Sequence, residues 1–416
     1  MLIPLPPLEA YRSDLGRVRG RQTFGEADAG WLALASSLHR LSQLPVESRA
    51  TYAYAAATAI RVACPLSSPN REAELVVGTA QTLENLGAGH TLSDYSVFQR
   101  VFESMEDDGA FLLAFSCIAD LRLAFRDMPL APRGYGIAQQ GRIARQLGHL
   151  DAAVEFYDEV RQLGVDEANQ ELLALAAHGL GGVALARGNY PDAKQQFEHA
   201  VDRAELAKAH DLAGRGYRGL MNVEAVRGNF EEALRNGWLA YVMLGSATDA
   251  SRAELLGNLA GLCGDMGYHK ASLHGYLVAA SLTPALRVHL PSLGAAALAA
   301  SRLDRAELAD MIRLRIDKIT SRGAPPFETA QALISITRAL RQLSDSRAET
   351  YRMRALQLSN QFGYFEIRHE AETLAAPPAP SIRKEPRPIS DESARVVKEL
   401  EQLDLSTSEL LESAAD

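Results

Sequence analysis

Arg215, Arg218 and Asn222 stand at i, i+3 and i+7, the spacing that puts three side chains on one stripe of a helix. A guanidinium on such a stripe can take up a carboxylate or phosphate through paired hydrogen bonds. That interaction is worth about 1.5–3 kcal/mol where water is excluded and about 0–1 kcal/mol where it is not. Other constellations carry less chemistry. Gly179-Leu180-Gly181-Gly182-Val183-Ala184 matches a dinucleotide fingerprint on paper. The fingerprint works only as a tight turn between a strand and a helix, and here the pattern is helical on both sides, so the glycines read as helix-packing positions. His269 and His274 are five apart and share no helix face, which makes them poor metal ligands. No Gly-Lys-Ser/Thr phosphate loop, zinc-spaced His-Glu pair or nucleophile elbow occurs. The acidic cluster Glu106, Asp107 and Asp108 reads as a helix N-terminus, which would need no chemistry. The expectation is a protein that is not an enzyme, with no cofactor and no metal.

The elements that must position the arginines repeat at a spacing of 40 residues. Gly148-His149-Leu150-Asp151-Ala152-Ala153, Gly188-Asn189-Tyr190-Pro191-Asp192-Ala193 and Gly228-Asn229-Phe230-Glu231-Glu232-Ala233 share Gly, a polar residue, a large apolar residue, two variable positions and Ala. Apolar helical patterns flank each copy, which is the signature of stacked helical hairpins that cannot bury their apolar faces alone. A small residue stands seven positions before the turn glycine at Gly141 and Gly181, and Met221 breaks the rule. The second helix carries Tyr157 and Phe197 at matching positions, and Gly237 departs from it. Small residues let two helix backbones approach while the aromatic fills the gap. The turn glycine supplies the positive φ common at a helix C-terminus.

With these residues the chain resembles the tetratricopeptide-repeat (TPR) proteins, in the long-repeat variety of kinesin light chains and bacterial regulatory proteins. Weaker copies stand at Gly267-Tyr268-His269-Lys270-Ala271, around Gly294 and near Ala348. The resemblance implies an all-α, right-handed superhelical solenoid of antiparallel hairpins whose first helices line a concave groove. On those helices the ligand-binding positions would be Tyr135, Arg142 and Arg145, then His178, then Arg215, Arg218 and Asn222, then Asn258. The fifth repeat offers Val288, Ala295 and Leu298, so the groove is expected to be cationic at one end and more apolar at the other. The family's carboxylate clamp, with its Lys residues, has no full copy here.

Composition narrows the partners. Hydrophobic residues are 47% and charged residues 23%, enough for a core, and aromatics are 6%, which suits closely packed helices. The net charge of −9 argues against a general nucleic-acid binder. Three cysteines, odd in number and far apart, give no disulfide framework. No secretory signal and no membrane-length apolar run is readable, so a cytoplasmic location is expected. The segments read as an extended arm (1–21), an N-terminal region of degenerate hairpins (22–130), the repeat stack (131–375), a Pro-rich linker (376–390) and an acidic tail or short amphipathic helix (391–416). The function expected is a non-catalytic scaffold that binds a protein or peptide, with an acidic segment in the groove. The alternative is a regulator that senses a peptide or small ligand and acts through a partner, with its own acidic tail as intramolecular competitor. Paired end repeats would make a homodimer.

Overall fold

The computed structural model describes residues 26–65, 71–88, 95–107, 110–125, 129–245, 249–321, 323–376 and 386–403. The N-terminal arm, Asp108, most of the Pro-rich linker and Leu410 and Leu411 of the tail lie outside them. Among the described residues the protein is all-α, with nineteen helices and no strand. None of these helices is long and apolar enough to cross a membrane. The chain divides into two compact units, Met1–Lys208 and Ala209–Asp416.

The first unit holds α1 (Glu26–Gln43), α2 (Val46–Ala63), α3 (Arg71–Gly87), α4 (Ser96–Asp107), α5 (Phe111–Ala124), α6 (Leu130–Gln146), α7 (Leu150–Asp166), α8 (Gln170–Ala186) and α9 (Tyr190–Leu206). Its first five helices do not stack as simple hairpins. α1 packs on α2, α3 and α5 together, because Trp31, Leu34, Leu38 and Leu41 form a stripe that is fully buried. A stripe that wide needs neighbours on more than one side. From α6 onward the order is regular: α6 pairs with α7, α8 with α9, and α6 lies against α8.

The second unit holds α10 (His210–Val226), α11 (Phe230–Met243), α12 (Asp249–Asp265), α13 (His269–Leu282), α14 (Leu286–Arg302), α15 (Ala306–Ser321), α16 (Pro326–Gln342), α17 (Ala348–Phe362), α18 (Phe365–Thr373) and α19 (Asp391–Gln402). α10 pairs with α11, α12 with α13, α14 with α15 and α16 with α17, while α12 lies against α14 and α14 against α16. Polar side chains brace the later hairpins. Arg313 of α15 reaches the Tyr351 hydroxyl at 2.7 Å and Asp317 at 2.9 Å, and Arg354 of α17 meets the same Asp317 at 2.8 Å. Val288 is buried in the core of this unit, so it does not offer the apolar groove surface expected of the fifth repeat.

The 40-residue period is one helical hairpin, and its two helices are equal in length. Five consecutive helices, α6 to α10, are each 17 residues long. Three-residue turns join α6 to α9, and each middle residue is left-handed: Gly148, Ala168 and Gly188, with φ of 81°, 49° and 73°. Lys208 (φ 56°) and Gly228 (φ 79°) continue the 20-residue beat. At four of these turns the residue after the centre donates its N–H back across the last helical turn, His149 to Ala144, Asn169 to Gly164, Asn189 to Ala184 and Asn229 to Glu224, at 2.8–2.9 Å, closing carbonyls that a helix end leaves open. Glycine marks every second turn only, which is why the visible period is 40.

Small and large residues meet across the hairpins at a fixed spacing. A Cβ on Gly141 would lie 3.0 Å from the Tyr157 ring, and one on Gly181 would lie 2.8 Å from Phe197. In the third hairpin the two sizes are exchanged: Met221 brings its sulfur 2.7 Å from where Gly237 would carry a Cβ. All three pairs are sixteen residues apart, so the third hairpin keeps the contact and reverses its partners. Gly179 receives the same Tyr157 ring from the neighbouring hairpin, and a Cβ there would overlap it. The ring is thus held between two hairpins by two glycines.

Two outcomes follow for stability measured by chemical denaturation. Gly188→Ala should cost about 1–2 kcal/mol, because its left-handed φ penalises a side chain, whereas Ala168→Gly should be neutral or gain up to about 1 kcal/mol. Gly179→Ala should cost about 1–3 kcal/mol from overpacking. In a Tyr157→Ala background the same change should become favourable by about 0.5–1 kcal/mol, since alanine is the better helix former.

Candidate functional site

The eight positions expected to line the groove fall four in each unit. In the first unit, α6 carries Tyr135, Arg142 and Arg145 and α8 carries His178; all four are half-buried. Arg142 is already engaged. Its Nη2 lies 2.7 Å from Oε1 of Glu106 and 3.6 Å from Glu103, both on α4. Gln139 donates to the same Glu106 oxygen at 2.8 Å, and the Tyr95 hydroxyl donates to Gln139 at 3.0 Å. Burial pulls the Arg142 pKa down, but the charge and hydrogen bond of Glu106 outweigh it and hold the guanidinium charged. Burial also pushes the Tyr95 hydroxyl up, which keeps it neutral. This network ties α4 to α6, and Arg142 is its cation.

Arg145 braces two hairpins. Its charge offsets part of the rise that burial imposes on the Tyr157 hydroxyl of α7, and its side chain crosses Gly182 of α8, where a Cβ would lie 3.3 Å from Nε. The three glycines of the fingerprint lookalike therefore have three separate partners: Gly179 takes Tyr157, Gly181 takes Phe197 and Gly182 takes Arg145. His178 stacks at a tilt on Phe197, with ring centroids 5.7 Å apart. Tyr135 stands four residues before Gln139 on α6.

In the second unit, Arg215, Arg218 and Asn222 are half-buried on α10 and Asn258 is exposed on α12. Arg218 points its Nη1 at Oε2 of Glu254 on α12, 3.9 Å away, and Arg287 at the start of α14 points its own Nη1 at the same oxygen, also at 3.9 Å. Side chains from the first helices of three successive hairpins thus converge on one point. Sequence reasoning did not single out Glu254 or Arg287. Glu254 stands one helical turn before Asn258, and Arg287 adjoins Val288, so their register was readable, but their convergence from separate hairpins was not.

Among the described residues no group of three or more His, Cys, Asp or Glu could hold a metal ion. All three cysteines are buried thiols; burial pushes Cys263 up to about 12 and Cys117 higher still, which leaves both protonated and unreactive.

The two classes of arginine separate experimentally. Arg142→Met leaves Glu106, whose side chain is only 6% exposed, with a charge and one fewer donor, and should cost about 1–3 kcal/mol in thermal or chemical unfolding. Arg218→Met breaks only a long, solvent-screened contact and should change stability by less than about 0.5 kcal/mol.

No family model matches the chain, and no curated protein matches it. Among solved structures it is similar to a crystal structure of a Rap protein complexed with competence and sporulation factor, at 10% identity and a TM-score of 0.47, over 82% of this chain and 98% of that one.

Proposed function

We propose that the protein is a non-catalytic binding module that takes a peptide or protein segment carrying a carboxylate on the first-helix face of its second unit. One observation carries this reading: two guanidiniums, Arg218 and Arg287, flank the single carboxylate of Glu254 at 3.9 Å each. Formed charge-assisted bonds are about 2.7–2.9 Å long, so both arginines stand off Glu254, and the field of Arg287 also reaches Glu328 of α16. A ligand carboxylate inserted between the arginines would find donors on both sides and a carboxylate that limits how many anions enter. Asn222 and Asn258, one on each of two neighbouring helices, suit the backbone amides of an extended chain. Arg142 and Arg145 play a structural part in this reading, because their partners lie inside the first unit.

A regulatory role through a partner uses the same face. The acidic tail as its competitor would have to act through residues 404–416, since α19 sits on second helices, α11 and α13. The scaffold reading is therefore preferred.

The test is selection of an arrayed library of random octapeptides by the full chain. Peptides retained by wild type should be enriched in Asp and Glu, and Arg218→Glu with Arg287→Glu should weaken them by about ten-fold or more, the worth of one such pair. Arg187→Glu, which pairs with Asp151 elsewhere, should leave them unchanged. A retained set without acidic bias, or one that survives the double reversal, overturns the reading.

A further inference from the structure

α19 is held by a cleft that recognises both of its ends. At the start, the Ser390 N–H and hydroxyl donate to Oε2 of Glu231 on α11 at 2.8 and 2.6 Å, and the Ser393 hydroxyl adds a third bond at 3.1 Å. Ser390 also caps the helix by accepting from the Ser393 N–H at 3.4 Å. One turn on, Arg235 meets Glu392 at 2.9 Å. At the far end, Lys270 of α13 meets Glu401 at 3.0 Å, and Nε2 of His274 approaches the Leu403 carbonyl at 2.7 Å. The first and last turns of a helix carry its unpaired N–H and C=O groups, and here residues of the body answer both.

Between the ends the attachment is narrow. Ser393, Val396, Val397 and Leu400 are buried, and the other eight residues of α19 face outward or partly so. The apolar wall is formed by Leu234 and Val278, with Phe230, Trp238, Tyr268 and Leu282 around it. Upstream, the Arg387 N–H donates to the Met266 carbonyl at 2.9 Å, and its guanidinium lies 5.1 Å over the Phe230 ring. A twelve-residue helix does not persist alone in water, so α19 is helical because it is docked. Its ion pairs use exposed side chains, Glu392 at 66% and Lys270 at 72%, which salt screens. It is joined to the body through residues 377–390, five of them proline. Narrow contact and weak charge pairs describe a segment that can be exchanged.

We propose that the α11–α13 cleft is a second binding surface, separate from the first-helix face, and that it takes an amphipathic helix from a partner protein. The helix it fits has Ser at its cap, an acid in its first turn, the stripe Ser-x-x-Val-Val-x-x-Leu and an acid in its last turn. α19 is the resident occupant, and a partner enters by displacing it.

The probe is a labelled synthetic peptide of residues 386–403, added to the full chain and to the full chain carrying Val397→Glu and Leu400→Glu, whose own α19 cannot dock. Fluorescence anisotropy should show about ten-fold or more tighter binding to the variant, because the wild-type cleft is open in only a small fraction of molecules. Arg235→Glu and Lys270→Glu in the variant should weaken binding by about ten-fold at low salt, and a peptide with Glu392→Lys and Glu401→Lys should restore it. Equal affinity for wild type and variant overturns the proposal, as does absence of binding to a variant of unchanged helicity. Should the variant fail to fold, hydrogen exchange on wild type decides. Amides of 391–402 that exchange together, faster than those of α11 and α13, support displacement, and exchange only with global unfolding refutes it.

Discussion

The hairpins depend on one contact, a bulky side chain from one helix seated over a residue without bulk on the other. Two helices joined by three-residue turns must lie close along their whole length. Close approach leaves no room for two large side chains at the same level, and interiors tolerate neither overlap nor void. Gly141 with Tyr157, Gly181 with Phe197, and Met221 with Gly237 are three solutions to that one constraint. The third shows that the sum of the two volumes matters, and which helix supplies the bulk does not. Tyr157 extends the device between hairpins by filling the space over Gly179 as well, so a single ring sets both the opening of its own hairpin and the distance to the next.

The same packing decides which arginines remain available. Where the N-terminal helices close around α1 and present α4 to α6, the buried Glu106 needs a cation, and Arg142 supplies it. Arg145 is drawn along Gly182 to Tyr157 because the missing side chain leaves a channel for its methylenes. On α10 the buried Glu224 is taken by Arg227 and Asn229, while Arg218 and Arg287 stop short of a closed pair with the half-exposed Glu254. Arginines on the first helices thus differ in role according to what the neighbouring helix buries.

The C-terminal helix follows a related logic. α11 and α13 present aromatic and aliphatic side chains at Phe230, Trp238, Tyr268 and Leu282, more apolar surface than a second helix facing water would carry. α19 covers it with three apolar side chains and matches its charges at both ends. The acidic character of the segment is therefore used against Arg235 and Lys270.

The turn motif, the glycine and aromatic spacing and the alternation of apolar stripes are local, and they made the helical hairpins and their boundaries legible from residues alone. The turns at Ala168 and Lys208 were not legible, because a left-handed residue without glycine leaves no mark in composition and is held there by the helices on either side. The amphipathic stripe Val396, Val397 and Leu400 could be read as a helix, but not where it docks, since an apolar stripe carries no address. The candidate arginines were legible as a set of types and positions. Their partners Glu106, Glu254 and Arg287 were not, being 36, 36 and 69 residues from Arg142 or Arg218 along the chain. The hairpins follow from local sequence, because turn chemistry and helical periodicity act within a few residues. Which cations lie on buried carboxylates and which face solvent follows from long-range packing, because desolvation depends on what distant helices bring alongside.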